Sequence, residues 1–168
     1  MIDFRSSRLM TLSACVLAIA ATTMTAQADQ PDATAANEAV VRQAFETWTE
    51  GTYVFNELLA PDVVWTIHGS GPVAGTYTNM DDFVERAAKP LTSRLVSPLV
   101  PEVHDIWAQK DTVIIRFDGS AITTSGTPYN NQFVWIFQME NGLVTEAEAF
   151  LDLLAYQEVV DNNAPRAD

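Results

Sequence analysis

The chain has 168 residues, 48% hydrophobic and 18% charged, a balance that supports a packed core and excludes global disorder. Acidic residues outnumber basic ones by 22 to 9, for a formal net charge of −13. So acidic a surface repels phosphate backbones and anionic lipid headgroups, which argues against nucleic-acid and membrane-surface binding.

The first 28 residues have the order of a secretory signal peptide. Arg5 and Arg8 precede a mostly apolar stretch, and Ala26-Gln27-Ala28 puts small residues at −3 and −1. This predicts an exported chain, periplasmic or secreted, that begins at Asp29. The apolar stretch is shorter than the ~20 residues of a membrane-spanning helix, so no membrane attachment is expected after cleavage. Leu12-Ser13-Ala14-Cys15 competes as a lipoprotein box. Against it, Cys15 follows Arg8 closely, and the residues behind it stay apolar where a polar tether belongs. Cys15 is the only cysteine, so the mature chain has no disulfide, thiol nucleophile or zinc–thiolate site.

Residues 29–37 are small and polar and read as a flexible lead. Val40, Val41, Ala44, Phe45 and Trp48 then form one apolar helical stripe, stopped by Gly51. Phe55, Leu58 and Leu59 mark a short second helix ended by Pro61. Residues 63–68 are β-rich and closed by Gly69, Gly71 and Pro72. Thr78 or Asn79 can cap a third helix, with Asp81 and Asp82 in its first turn. Phe83, Val84, Ala87 and Ala88 form its buried stripe, and Pro90 limits or kinks it. From Leu99 the period is two, with strands near residues 99–108, 112–123, 129–139 and 143–151. Lys110-Asp111, residues 125–128 and Asn141-Gly142 make the turns. The domain ends near residue 160 with a helix or strand extension led by Asp152, followed by a tail over residues 161–168.

Helices followed by antiparallel strands imply an α+β domain. A curved, mostly antiparallel sheet closed by about three N-terminal helices forms a cone whose interior can be a cavity. Asn131, Phe133, Trp135, Phe137 and Met139 share one strand face. In the preceding strand Arg116 and Asp118 share a face opposite Val113, Ile115 and Phe117.

Pro61-Asp62-Val63-Val64-Trp65, the Gly-Pro-Val-Ala-Gly-Thr-Tyr of residues 71–77, Asn141-Gly142 and Phe150-Leu151-Asp152 resemble the SnoaL-like branch of the nuclear-transport-factor-2-like (NTF2-like) superfamily. The resemblance spans about residues 38–160. It implies the cone-shaped fold and a homodimer paired through the outer sheet face, for which Val113, Ile115 and Phe117 offer an apolar surface. Chemistry does not follow from fold. Steroid isomerases of this superfamily use a helix-1 tyrosine and two pocket carboxylates, and all three roles are empty here. Limonene-type epoxide hydrolases use an Arg-x-Asp, matched by Arg116-Phe117-Asp118. Their second aspartate falls on Ala149, and their Tyr and Asn fall on Trp65 and Ile67. One proton-transfer partner is therefore missing.

The resemblance turns the Arg116–Asp118 face into the cone, making this pair the catalytic candidates. His68, at the end of the first strand, is a possible proton shuttle or a half-exposed edge histidine. Trp65, Ile67, Phe133 and Trp135 are ligand-binding candidates, with Tyr77 and Asn131 as polar anchors. His104 has only Glu102 and Asp105 nearby in sequence and reads as structural. Two separated histidines without cysteine provide no metal site, and no cofactor is expected. Two functions remain open: a domain binding a small apolar molecule, and a cofactor-free acid–base enzyme using Asp118 and Arg116.

Overall fold

A computed structural model describes residues 33–167. The expected leader, its cleavage point and the first mature residues lie outside that range. Helix α1 (Ala33–Thr49) buries Asn37, Val41 and Phe45. After α2 (Phe55–Leu58) come strands β1 (Leu59–Ile67) and β2 (Gly75–Tyr77). A helical segment follows as α3 (Met80–Phe83), a π turn (Val84–Ala88) and α4 (Lys89–Thr92). Strands β3 (Val100–Gln109), β4 (Thr112–Ile122), β5 (Pro128–Glu140) and β6 (Leu143–Leu151) lead to α5 (Leu153–Asn162). The curved sheet has the order β2-β1-β6-β5-β4-β3, and only the β1–β6 pair is parallel.

Several elements differ from the sequence reading. Helix α1 starts inside the expected flexible lead, because its polar residues hold the β3–β4 turn. Thr34 Oγ1 accepts from the Lys110 N–H at 3.0 Å, and Asn37 Nδ2 donates to the Lys110 carbonyl at 3.1 Å. Pro61 does not end a helix but lies in β1. The β1–β6 register shifts between Leu59 and Val64, and a residue without an N–H is tolerated at such an irregularity. Strand β2 has no counterpart in the sequence reading, since Gly-Thr-Tyr is too short to show a period; it pairs Trp65 with Tyr77. Pro90 is carried within the helical segment, directly after the π turn. The wider turn absorbs a ring that cannot donate, and the Tyr156 hydroxyl donates to the Ala87 carbonyl at 2.8 Å. The expected caps are present: Asn79 accepts from Asp82 N–H, and Asp152 from Leu154 and Ala155.

The β4–β5 register decides which face of the sheet is internal. Phe117 opposes Phe133 and Ile115 opposes Trp135, and directly opposed residues lie on one face. Val113, Ile115 and Phe117 have no solvent exposure, and Phe45 of α1 packs edge-on against Phe117 at 5.0 Å. They therefore belong to the core and cannot form an outer dimer surface. The same register pairs Arg116 with Val134 and Asp118 with Gln132 on the opposite, outer face. Arg116 and Asp118 cannot share the cone with Trp135, as the sequence reading supposed. Taking two charges out of water costs several kcal/mol per ion, whereas burying aromatic rings is favourable.

Asn131 joins the sheet to α5 at the end of β6. Its Nδ2 donates to the Tyr129 hydroxyl at 2.8 Å and to the Asp152 carbonyl at 2.9 Å. Its Oδ1 accepts from the N–H groups of Gln132 and Asp152. Burial pushes the Tyr129 phenol from its ordinary 10 up to about 12, partly offset by the Asn131 hydrogen bond. Tyr156 is raised in the same direction, first by burial. Unfolded tyrosines ionise near 10, so from there upward the folded state binds more protons. The stability these phenols confer is complete below pH 10 and is lost as pH rises towards the folded values. Denaturant titrations between pH 9 and about 12 should show this decline, with a shallower slope for Tyr129→Phe; an unchanged slope would refute the assignment.

Candidate functional site

Between the inner sheet face and the helices lies a cavity of about 400 Å³. Strands contribute Trp65, Ile67, Phe133 and Trp135 to its wall, together with the small Ala149. The helices and the segment before α2 contribute Trp48, Tyr53, Phe55, Phe83 and Leu91. The rings brace one another. Trp65 stacks on Phe83 at 4.1 Å and meets Trp135 edge-on at 5.0 Å, while Trp48 lies nearly parallel to Trp135 at 5.9 Å. This pre-organised aromatic wall depends on alternation along β1 and β5, with helical residues facing it.

Polar groups in the wall are few. Trp65 is 1% exposed, and its indole Nε1–H has no acceptor. Tyr156 already donates to the Ala87 carbonyl. Burial raises the pKa of both Tyr53 and Tyr156, so neither is a base near neutrality. No carboxylate or imidazole belongs to the described lining, whose single formal charge is Arg166. The expected tail is held across this end of the molecule. Arg94 Nε donates to the Asn163 carbonyl at 2.9 Å, Thr124 Oγ1 to the Ala164 carbonyl at 2.7 Å, and Arg166 N–H to the Ser93 carbonyl at 2.8 Å. The Arg166 guanidinium donates to the Leu95 carbonyl.

The structure separates the sequence-derived candidates into two groups. Trp65, Ile67, Phe133 and Trp135 line the cavity. Tyr77 is buried outside its lining; its hydroxyl donates to Val73, and Arg86 lies over its ring at 5.1 Å. Asn131 has its polar atoms committed to the Tyr129–Asp152 network. His68 sits on the outer face, with Nε2 at 2.8 Å from Glu148 Oε2 and its ring stacked on Phe150. Arg116 and Asp118 are about one-third exposed there and 3.4 Å apart. A bulge in β3 between Val103 and Asp105 brings His104 to 3.1 Å from Asp118, a partner invisible in sequence spacing. Of these outer groups, Arg116 and Asp118 border a broad groove that includes Glu102, Gln132 and Phe150. Trp48, Tyr53, Phe55, Phe83 and Leu91 were not identified as wall residues. Their helical or turn positions signalled burial but not which burial faces a void. Arg166 had no sequence signal.

Residues 33–147 match the family of SnoaL-like domains. The chain belongs to this family. No protein of curated function matches it. Among solved structures, Bal32a from a soil-derived mobile gene cassette is 18% identical, with a TM-score of 0.63, 76% of this chain covered and 98% of that one. A proposed SnoaL-like polyketide cyclase from Jannaschia is 18% identical, with a TM-score of 0.60 and coverages of 82% and 99%. TerC, crystallised with polyporic acid, is 20% identical, with a TM-score of 0.58 and coverages of 75% and 98%. Such likenesses establish the NTF2-like fold.

The outer placement of Arg116 and Asp118 has a measurable consequence. Asp118→Asn should leave affinity for any cavity ligand unchanged and alter stability by less than about 1 kcal/mol. Ligand titration monitored by tryptophan fluorescence, with a parallel denaturant curve, checks both; a large loss of affinity would return the pair to the site.

Proposed function

We propose that this SnoaL-like domain binds a small, flat, apolar or aromatic molecule in its cone cavity and acts as a binding module. The aromatic wall with no proton-accepting side chain carries this reading. Its volume of about 400 Å³ falls within the roughly 300–1,000 Å³ of small-molecule pockets. Acid–base catalysis requires a group that accepts or supplies a proton at the reacting atom. Asp118 and Arg116 lie on the outer face, so they cannot perform that step in the cavity. The polyketide-cyclase description and the polyporic acid complex belong to structural neighbours, and they make small-molecule handling a reasonable comparison for this cavity.

Naphthamide, a neutral two-ring probe, should change tryptophan fluorescence saturably. Ala149→Leu would fill part of the cavity while retaining all four tryptophans and should weaken binding about tenfold. Absence of saturable binding to the wild type, or undiminished binding by the filled variant, would reject the reading.

We also propose that the chain is exported and pairs with a second copy through its outer sheet face. The leader pattern supports export. For pairing, Trp107, Ile114 and Ile136 form one row across three strands, beside the Val134–Phe150 pair. Trp107 and Phe150 are 52% and 42% exposed, and an apolar row of this kind favours coverage. Exported protein should have the intact mass of a chain beginning at Asp29 and, by light scattering, twice that mass in solution. A retained leader or lipid would reject simple export, and a monomer would reject the pairing.

A further inference from the structure

We infer that the cavity selects aromatic molecules carrying an anionic group, with Arg166 reading that group at the mouth. This rests on the binding reading above. The first observation is the distribution of charge. Arg42, Arg86, Lys89 and Arg116 each pair with a carboxylate. Arg94, Lys110 and Arg166 do not, among the described residues, and of these three Arg166 alone belongs to the cavity lining. Arg166 lines the cavity, and its guanidinium gives one hydrogen bond to the Leu95 carbonyl. The rest of its planar donor fork has no acceptor among the described residues, and a guanidinium fork suits a carboxylate.

Arg94 adds positive charge at the same end. Its guanidinium binds the carbonyls of Asn163 and Pro90. The net charge of −13 repels an approaching anion, and the positive charges of Arg166 and Arg94 oppose that repulsion locally.

The lining itself holds no carboxylate or imidazole among the described residues, and its strand and helix residues supply an aromatic wall. A guanidinium fork with spare donors beside such a wall is complementary to an aromatic anion. An aromatic carboxylate is the simplest chemical class with these properties: its rings occupy the aromatic wall and its carboxylate meets Arg166.

Naphthoate and naphthamide test the assignment because they share the ring system and differ in charge. Wild-type protein should bind naphthoate about fivefold more tightly, a modest preference because Arg166 is exposed. Arg166→Gln retains a donor for Leu95 but removes the charge. It should abolish the preference by weakening naphthoate more than naphthamide, whereas Arg166→Lys should retain part of the preference. Circular dichroism checks that each variant is folded. Binding of both probes without anion preference would overturn this inference and leave the binding reading standing. A preference that survives Arg166→Gln, or equal weakening of both probes, would also overturn it. Failure of both probes to bind wild-type protein would reject the binding reading and this inference together.

Discussion

Pairing of Phe117 with Phe133 and Ile115 with Trp135 is the constraint on which the rest of the structure depends. A strand alternates faces, so these pairs fix the orientation of every other side chain on β4 and β5. They turn the rings towards α1 and leave Arg116 and Asp118 in contact with water. Reversing the faces would bury an ion pair and expose the four large apolar side chains of these pairs. Desolvation and the hydrophobic effect both oppose it.

The cavity follows from how helices cover this aromatic face. Phe45 fills the space over Phe117, while the small Ala149 leaves room beside Trp65 and Trp135. The π turn lets Pro90 remain within the helical segment, and Tyr156 ties that segment to α5 through Ala87. At the other edge, Asn131 satisfies both backbone polar groups of Asp152 where the sheet passes into α5. Polar hydrogen bonds thus hold the covering elements, and aromatic contacts form the wall. This division explains why a well-connected structure has so little acid–base chemistry in its cavity.

The two sheet faces consequently have different chemistry. The inner face is aromatic, and the cavity beside it has no carboxylate or imidazole in its described lining. The outer face gathers His68 with Glu148 and His104 with Asp118 and Arg116. The resemblance to an Arg-x-Asp motif was real at the level of residue types. The expected placement of that motif inside the cone failed because equal spacing along one strand does not specify which face is enclosed.

Much of the fold was legible in residue order. The α1 stripe, the period-two strands, the Asn141-Gly142 turn and the Asn79 and Asp152 caps report local geometry, which depends on nearby residues. The sequence determined an α+β SnoaL-like chain rich in aromatic residues and also identified Trp65, Ile67, Phe133 and Trp135 as wall candidates. Three-residue β2 was hidden because it acquires strand geometry through pairing with β1. The role of Thr34 and Asn37 was hidden because their partner, Lys110, lies far along the chain. Only the tertiary structure decided which strand face was internal, where a void remained and which cation reached its mouth. Those properties arise from long-range register and packing, so no local pattern around Arg116, Asp118 or Arg166 could determine them.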